Sequence, residues 1–299
     1  MTSGPVSLER KPCGRRISEI ARAKVNLTLE VLGRRADGYH QLASLVAFAG
    51  ISDEFELVEA SSWRLRCRGP MSGAIVGDNL VDRAARAVQS AWPSAATGHA
   101  ELLKVLPVAA GIGGGSSDAA AALRALRRLN AATPGAPDWL LLARQLGADV
   151  PVCLANCLAF VRGVGEQIDP IDIQVVLPAV LVNPGVTLST ASVFADLAAP
   201  PLQPEADDAA TPEFRDASHL LDWVSAGRND LEAPALRLAP AVGRVRAALL
   251  ASPGCRLTRL SGSGPTCFGL FETDMLAQAG ASSIAHAHPD WWVRATVLS

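Results

Sequence analysis

The chain has 299 residues, of which 49% are hydrophobic and 19% are charged. A chain of this length and composition buries a substantial core, which excludes a disulfide-stapled miniprotein and a chain that is disordered throughout. Its 27 basic residues against 29 acidic ones give a formal charge of -2, so no overall charge draws it to nucleic acid or to an anionic membrane.

Six cysteines are spread along the chain without the paired spacing of a metal site or a redox motif. They are Cys13, Cys67, Cys153, Cys157, Cys255 and Cys267. We interpret them as buried, reduced thiols of a cytoplasmic protein. Residues 1–19 lack the apolar core of a signal peptide, and the longest uncharged stretch, 173–195, is interrupted by prolines. Neither segment predicts a membrane anchor.

The first third of the chain is predicted to be mostly sheet. Apolar residues alternate with polar ones over 25–31, and the alternation returns over 55–67. In the first of these strands the alternation places Lys24 and Asn26 on one polar face. The pair at 37–38, Asp-Gly, predicts a turn.

The first predicted helix begins after a cap at Asp78 or Asn79, and a strand follows near 102–106. A glycine-rich loop over 111–117 then leads into an alanine-rich helix over 118–129. Serine or aspartate at the junction is expected to cap this helix.

A further helix over 138–146 is predicted to end at Gly147 in the left-handed conformation. Asp149 lies just beyond it, before Pro151, and proline favours extended backbone at this point. A carboxylate at the end of an element is well placed to face a cleft.

Gly163 marks a predicted boundary between two halves, residues 1–163 and 164–299. In the second half, the segment 198–212 is rich in alanine, proline and acidic residues and predicts a mobile surface loop. The other predicted elements there are strands at 175–183, on both sides of 261–265 and at 292–298, and helices at 213–226, 230–238 and 241–250. This mixed order favours an α+β fold over a doubly wound one.

The loop over 111–117 has the composition of a phosphate-binding loop. Its glycines let the backbone approach an anion closely, and the helix that follows aims free N–H groups at the same point. The spacing is not that of a dinucleotide-binding fingerprint, which needs glycine where Ser116 stands. It is not a Walker A loop either, because the chain contains no Gly-Lys pair. The alternative is a plain turn capped by serine.

Only three lysines occur, Lys11, Lys24 and Lys104, and the other basic residues are arginines. A compact ammonium group beside a reacting hydroxyl is one reason to retain lysine where arginine otherwise serves. Lys24, which shares its polar face with Asn26, is therefore a candidate catalytic residue. The alternative is an edge lysine whose stem covers apolar surface.

Asp149, Tyr39 and His40 are further candidates. Asp149 could accept a proton from an alcohol, although a lone aspartate at a helix end more often forms local hydrogen bonds. Tyr39, the only tyrosine, precedes His40, and this pair suits stacking on and hydrogen bonding to a flat ring. The alternative is a tyrosine half-buried at a domain edge.

Five motifs occur in one order along the chain. They are Ala23-Lys-Val-Asn-Leu27, Gly33-Arg-Arg-Ala-Asp-Gly-Tyr-His40, Leu106-Pro-Val-Ala-Ala-Gly-Ile-Gly-Gly-Gly-Ser-Ser-Asp-Ala-Ala120, Leu146-Gly-Ala-Asp-Val-Pro151 and Ser261-Gly-Ser-Gly-Pro265. Together they resemble the GHMP kinase superfamily over residues 20–299. The glycine-serine loop points to the superfamily, whereas the first two motifs resemble the branch whose acceptor is cytidyl diphosphate methylerythritol.

This resemblance implies ATP-dependent transfer of the γ-phosphoryl group to the 2-hydroxyl of that acceptor, with Mg²⁺, in the non-mevalonate isoprenoid pathway. It implies a two-domain α+β fold, in which an N-terminal domain similar to ribosomal protein S5 domain 2 (1–163) and a ferredoxin-like C-terminal domain (164–299) enclose the site. The expected partner is the small-molecule substrate, with no nucleic acid and no membrane. The protein is expected in the cytoplasm as a monomer or weak homodimer.

By the same resemblance, Asp149 matches the general base and Lys24 the lysine beside it. The ATP-binding residues are Pro107, Val108, Ala109, Ala110, Gly111, Ile112, Gly113, Gly114, Gly115, Ser116 and Ser117, with Asn79 and Lys104 near the adenosine. The substrate-binding residues are Asn26, Tyr39, His40, Thr190 and Phe194. Tyr39 and His40 would read the cytosine, with Phe194 on the other side of the base. The metal ligands are unassigned, and Ser117 is the one candidate.

Two other functions remain open at this point. Another small-molecule GHMP kinase, acting on homoserine, mevalonate or a sugar, would give Tyr39 and His40 no base to stack on. A non-catalytic nucleotide-binding sensor would need the glycine-rich loop but neither Lys24 nor Asp149.

Overall fold

A computed structural model of the chain describes residues 14–75, 77–203 and 210–299. The strands in these ranges are β1 (Arg16–Asn26), β2 (Glu30–Arg34), β3 (His40–Ala60), β4 (Arg64–Arg68), β5 (Thr97–Leu103), β6 (Ala159–Gly163), β7 (Gln167–Pro170), β8 (Leu177–Asn183), β9 (Cys255–Leu260), β10 (Cys267–Phe271) and β11 (Trp292–Leu298). The α-helices are α1 (Leu80–Ala91), α2 (Gly114–Leu129), α3 (Trp139–Leu146), α4 (Val150–Ala155), α5 (Thr190–Leu197), α6 (Ala217–Ala226), α7 (Glu232–Leu238), α8 (Ala241–Leu250) and α9 (Asp274–Ala287).

Strand β3, 21 residues long, is the centre of the sheet. It pairs antiparallel with β1, β2, β5, β6 and β11, and the path through the sheet runs β4-β5-β3-β11-β8-β10-β9. Because β11 joins β3 to β8, the sheet of the first half continues into the second. β6 and β7 form a hairpin that spans the predicted boundary at Gly163.

Helix α2 packs against β1 and β3 and beside α1. The four alanines over 119–122 are fully buried, and their small side chains let the helix axis approach the strands closely. Leu123, Leu126 and Leu129 fill the same core, and burial of each contributes about 1.5–3 kcal/mol. This packing fixes the position of the first turn of α2.

The predicted α+β class is confirmed, and several element bounds are close to those predicted. Asn79 caps α1, and its side chain accepts the N–H of Val81. Helix α8 and strand β11 have the predicted bounds, and β9 and β10 lie on either side of 261–265. Helices α4, α5 and α9 were not predicted.

The predicted backbone around the glycine-rich loop and Asp149 is wrong at three points. Helix α2 begins at Gly114. The residue at its N-cap position is Gly113, which has the left-handed conformation, and no side chain forms a capping hydrogen bond. Gly147 has an extended φ of 163°. Pro151 lies in the first turn of α4, where backbone N–H groups have no intrahelical partner, so a proline is tolerated. Asp149 directly precedes this helix, and its backbone is helical and not extended.

The strand predicted near 102–106 ends at Leu103 instead. The backbone N–H groups of Val105 and Leu106 donate to the buried Asp53 carboxylate, at 2.5 and 2.9 Å. The Asp53 side chain, from β3, therefore accepts the backbone N–H groups that would pair with a neighbouring strand if β5 were longer.

Residues 198–203, which we call the strap, differ from the predicted mobile loop. The Arg34 N–H donates to the Pro200 carbonyl at 2.8 Å, and the Leu202 N–H donates to the Arg34 carbonyl at 2.8 Å. The prediction of a mobile segment is therefore wrong for the strap, which is held against the end of β2. Residues 204–209 of the predicted loop lie outside the described residues.

The cysteines of the described residues form no disulfide. Cys153 and Cys267 are buried as predicted, whereas Cys67, Cys157 and Cys255 are half-buried, and Cys13 lies outside the described ranges. Among the helices of these ranges, none combines the length and the apolar character needed to cross a bilayer.

Candidate active site

A cleft of about 830 Å³ opens between the glycine-rich loop, α4, α5 and the β2–β3 turn. Lys24, Asp149, Ser116, Arg34 and His40 are among the residues that line it. The structure therefore brings candidate residues from distant parts of the sequence to one concave surface, which is where small-molecule sites form.

Lys24 and Asp149 form an ion pair, with the Lys24 Nζ 2.8 Å from the Asp149 Oδ1. The lysine side chain is 5% exposed and the aspartate side chain 46% exposed. The ammonium group is therefore held in the wall, while the carboxylate retains a face open to the cleft. A carboxylate that a fixed cation orients in this way can accept a proton from a hydroxyl group in the cleft.

The position of Lys24 depends on the glycine-rich loop. Its backbone N–H donates to the Ile112 carbonyl at 2.9 Å, and β1 shifts register between Arg22 and Lys24. A Cβ at Gly113 would lie 3.2 Å from the Lys24 Cβ. The bulge and the missing side chain let the strand and the loop approach each other.

Gly111 is required where the loop meets residues 261–265. It has φ +75°, and a Cβ there would lie 2.6 Å from the Ser261 carbonyl oxygen and 2.7 Å from that of Gly264. The Ser261 hydroxyl donates to the Gly111 carbonyl at 3.0 Å, and the Thr266 N–H donates to the Ala110 carbonyl at 3.2 Å. The loop is therefore braced by the second half of the chain.

The first turn of α2 presents an anion-binding end. The N–H groups of Gly114, Gly115 and Ser116 precede the first intrahelical bond, in which the Ser117 N–H donates to Gly113, and no side chain caps them. Gly115 is exposed and Ser116 lines the cleft. Unpaired N–H groups at the positive end of a helix dipole favour phosphate.

Ser117 is placed differently from its neighbour. It is 2% exposed, and its hydroxyl donates to the Arg22 carbonyl at 2.7 Å. Its side chain therefore ties α2 to β1. Elsewhere in the predicted ATP-binding stretch, Ala110 and Ile112 are buried, whereas Val108 and Ala109 are exposed.

Lys104 and Asn79 are predicted to lie near the adenosine, and in the structure the side chains of both form hydrogen bonds within the protein. The Lys104 ammonium, in a residue only 2% exposed, lies 2.5 Å from Asp53 Oδ2 and 2.6 Å from Asp118 Oδ2. A Cβ at Gly114 would lie 3.2 Å from Lys104 Nζ, so the lysine supports the first turn of α2 from beneath. The half-buried Asn79 uses its side-chain oxygen to cap α1.

Two carboxylates share the Lys104 ammonium, and we call Lys104, Asp53 and Asp118 the buried triad. Burial raises the pKa of the Asp118 carboxyl to about 7; attraction to Lys104 opposes this rise and repulsion from Asp53 adds to it. Burial lowers the pKa of Lys104, but attraction to Asp118 and Asp53 outweighs burial, so this pKa is raised. The Asp118 Oδ1 has no hydrogen-bond partner in the described residues. The sequence analysis identified neither Asp53 nor Asp118 as a site residue.

We expect Asp118→Asn to reduce the pH dependence of stability. The pKa of Asp118 is about 7 when folded, against 3.8 ordinarily, so its stabilising contribution is present in acid and is lost as the pH rises through about 7. The loss between pH 5 and pH 8 is on the order of 3 kcal/mol. Urea unfolding at both pH values should therefore give a smaller difference for the variant than for the wild type. If the difference in unfolding free energy between pH 5 and pH 8 were as large in Asp118→Asn as in the wild type, this prediction would be wrong. The control is Asp222→Asn, at an exposed position on α6.

His40 and Phe194 stack on each other, with ring centroids 4.6 Å apart and planes inclined by 27°. Burial, and then the charge of Arg34, lower the pKa of His40, which favours its neutral form. Tyr39 is 63% exposed. The contact between the His40 and Phe194 rings closes the space that a base between them would need, so Phe194 must move before it can cover one side of a base that His40 contacts.

Asn26 and Thr190 also line the cleft. The Asn26 Nδ2 donates to the Ser44 hydroxyl at 2.7 Å, while its buried Oδ1 has no partner in the described ranges. The Thr190 hydroxyl lies 2.8 Å from that of Ser263. Sequence reasoning missed Ser263 as a single residue, although the motif at 261–265 contains it.

Comparison with known proteins is consistent with this architecture. The family described as GHMP kinases N terminal domain matches residues 79–163, and GHMP kinases C terminal matches 204–290. A 4-diphosphocytidyl-2-C-methyl-D-erythritol kinase of Methylorubrum extorquens (strain PA1) is 49% identical over 93% of this chain and 98% of its own. One of the same name from Bradyrhizobium sp. (strain ORS 278) is 47% identical over 95% of this chain and 97% of its own.

A crystal structure of a 4-(cytidine 5'-diphospho)-2C-methyl-D-erythritol kinase superposes with a TM-score of 0.76 at 35% identity, over 95% of this chain and 99% of that one. The fold is therefore that of a GHMP-type small-molecule kinase. Within that class, the chain belongs to the family of 4-diphosphocytidyl-2-C-methyl-D-erythritol kinases.

Proposed function

We propose that this protein transfers the γ-phosphoryl group of ATP to the 2-hydroxyl of 4-diphosphocytidyl-2-C-methyl-D-erythritol, a step of non-mevalonate isoprenoid precursor synthesis. The observation that carries the proposal is the Lys24–Asp149 ion pair in one cleft with Ser116, beside the uncapped first turn of α2. A phosphate bound at that turn lies next to a carboxylate open to the acceptor.

In the proposed reaction the acceptor oxygen forms a bond to the γ-phosphorus, and the bond from that phosphorus to the β–γ bridging oxygen breaks. ADP leaves, and the hydroxyl proton passes to Asp149. The N–H groups of Gly114, Gly115 and Ser116 stabilise charge that spreads over the phosphoryl oxygens. Lys24 fixes the carboxylate and favours alkoxide character on the acceptor oxygen.

Mg²⁺ accompanies ATP in our proposal, but the candidate Ser117 does not fit as its ligand. Its hydroxyl is buried and donates to a backbone carbonyl, and the described residues contain no cluster of three metal-binding side chains. We therefore assign no protein ligand to the metal.

The proposed substrate contacts are Asn26, Tyr39, His40, Thr190 and Phe194. Tyr39 and His40 read the cytosine, and Phe194 covers the base after leaving His40. For ATP we propose the loop over 107–117, with Asn79 near the adenosine. Lys104, whose ammonium is engaged by two carboxylates, supports this loop in our proposal instead of contacting the nucleotide.

We propose residues 1–163 as the ATP-binding, catalytic unit and 164–299 as the substrate-side unit. The protein is proposed to work in the cytoplasm as a monomer or weak homodimer, on small molecules alone. The unremarkable net charge is consistent with a lack of nucleic-acid or membrane partners.

An acceptor panel tests the function. Pure protein is incubated with ATP, Mg²⁺ and one of cytidyl diphosphate methylerythritol, homoserine, mevalonate or galactose, and ADP release is followed. We expect turnover with the cytidyl compound alone. Turnover confined to another acceptor would assign a different small-molecule kinase, and no turnover with any of them, despite ATP binding, would favour a nucleotide sensor.

A further inference from the structure

Arg34 carries a charge in the cleft that the proposed mechanism does not use. Among the described residues that line the cleft, the charged side chains are Lys24, Arg34 and Asp149. Lys24 and Asp149 pair with each other, whereas no carboxylate in the described part of the chain pairs with Arg34. The cleft therefore contains one cation whose charge is not neutralised by these neighbours.

The backbone of Arg34 is held from two sides. It pairs with His40 across the β2–β3 turn, and its N–H and carbonyl are both bonded to the strap. A Cβ at Gly33 would lie 2.5 Å from the Leu202 Cα, so glycine is what lets the strap approach. These contacts fix the position of the Arg34 backbone, and therefore of its Cα, at the edge of the cleft.

The surroundings leave room for an anion beside the guanidinium group. Arg34 is exposed, and the strap contributes only the small side chains Ala198 and Ala199 to the cleft lining. The charge of Arg34 is also felt at His40, whose pKa it lowers after the larger effect of burial. Arg34 thus acts on the region of the cleft that we assign to the base.

We propose that Arg34 binds the diphosphate group of the acceptor. The inference rests on the proposed function, in which the acceptor joins a nucleobase to a polyol through two phosphates. With the hydroxyl at Asp149 and the base at His40, those phosphates need a cation in the cleft, and Lys24 is already paired. The planar guanidinium group binds phosphate oxygens in pairs, which lysine does not reproduce. Arg34 would then select a nucleoside diphosphate over a neutral nucleoside.

The test compares wild type, Arg34→Gln and Arg34→Lys. We expect Arg34→Gln to raise the KM for the cytidyl acceptor and the Ki of CDP about tenfold, a typical effect of one charge-assisted contact. The kcat, the KM for ATP and the Ki of cytidine should stay within about twofold, because none of them depends on the diphosphate. Arg34→Lys should restore only part of the loss. Arg64→Gln, at an exposed position on β4, is the matched control and should change nothing.

Two results would overturn the proposal: CDP binding that is unaffected by Arg34→Gln, or an equal weakening of CDP and cytidine, which would make Arg34 a support for the base site. Direct calorimetric titration with CDP and cytidine keeps this test independent of catalysis. If wild type bound CDP in an Arg34-dependent way without phosphorylating the cytidyl acceptor, the proposed function would fail while the diphosphate site stood.

Discussion

Asp149→Asn is expected to lower kcat by about 10²- to 10⁴-fold, the usual contribution of a general base. Asparagine has nearly the shape of aspartate and still offers an oxygen to the Lys24 ammonium, which lies 2.8 Å from Oδ1 in the wild type. The change therefore removes proton acceptance and leaves the wall of the cleft in place. Steady-state ADP release measures kcat, and calorimetric titration with ATP should give an unchanged affinity.

The matched control is Asp222→Asn, which removes a carboxylate from an exposed position on α6 outside the cleft lining. It should retain wild-type kcat. If Asp149→Asn stayed within a few-fold of wild type, Asp149 could not be the base and the mechanism would need a different proton acceptor. A matching loss of ATP affinity would point to a disturbed loop instead of lost base catalysis.

Lys104→Met is expected to cost roughly 3–5 kcal/mol of unfolding free energy, because it leaves two buried carboxylates without their cation. Asp53 and Asp118 are both nearly inaccessible to solvent, so water cannot replace the ammonium group. Urea denaturation at pH 8, above the pKa of about 7 that Asp118 has in the wild type, measures the effect. We also expect a raised KM for ATP, since Lys104 lies directly beneath Gly114.

Two further variants separate lost charge compensation from lost packing. Lys104→Met combined with Asp118→Asn should be more stable than Lys104→Met alone, because one uncompensated carboxylate is gone. Arg68→Met breaks an exposed ion pair with Glu101 on the adjoining strand. It should leave the midpoint of urea unfolding almost unchanged. A double variant no more stable than Lys104→Met would mean that the lysine acts mainly through its aliphatic stem.

Local sequence signals were sufficient where one short segment decides the structure. Asn79 caps α1 with its own side chain, and the glycines over 111–115 mark a loop in which Gly111 leaves no space for a Cβ beside Ser261. The Lys24–Asp149 pairing was accessible only through the resemblance to a family, because 125 positions separate the two residues.

Predictions failed where tertiary contacts override local preference. Gly114 is a poor helix former, yet α2 starts there because its alanine face packs on β1. The strand expected to reach Leu106 ends early because Asp53, 53 positions away, takes the Leu106 N–H. Pro200 and Leu202 looked like part of a mobile segment, but β2 offers them hydrogen-bonding partners that composition cannot reveal.

The continuity of β3 with β11 limits how this enzyme can respond to its substrates. Phe48 exchanges two backbone hydrogen bonds with Ser299, at 2.9 and 3.0 Å, and the Arg22 guanidinium group donates to the Ser299 hydroxyl at 2.7 Å. A hinge between the two halves would have to break this seam. We therefore expect rearrangement on binding to be confined to α5, led by Phe194, while the rest of the framework remains rigid.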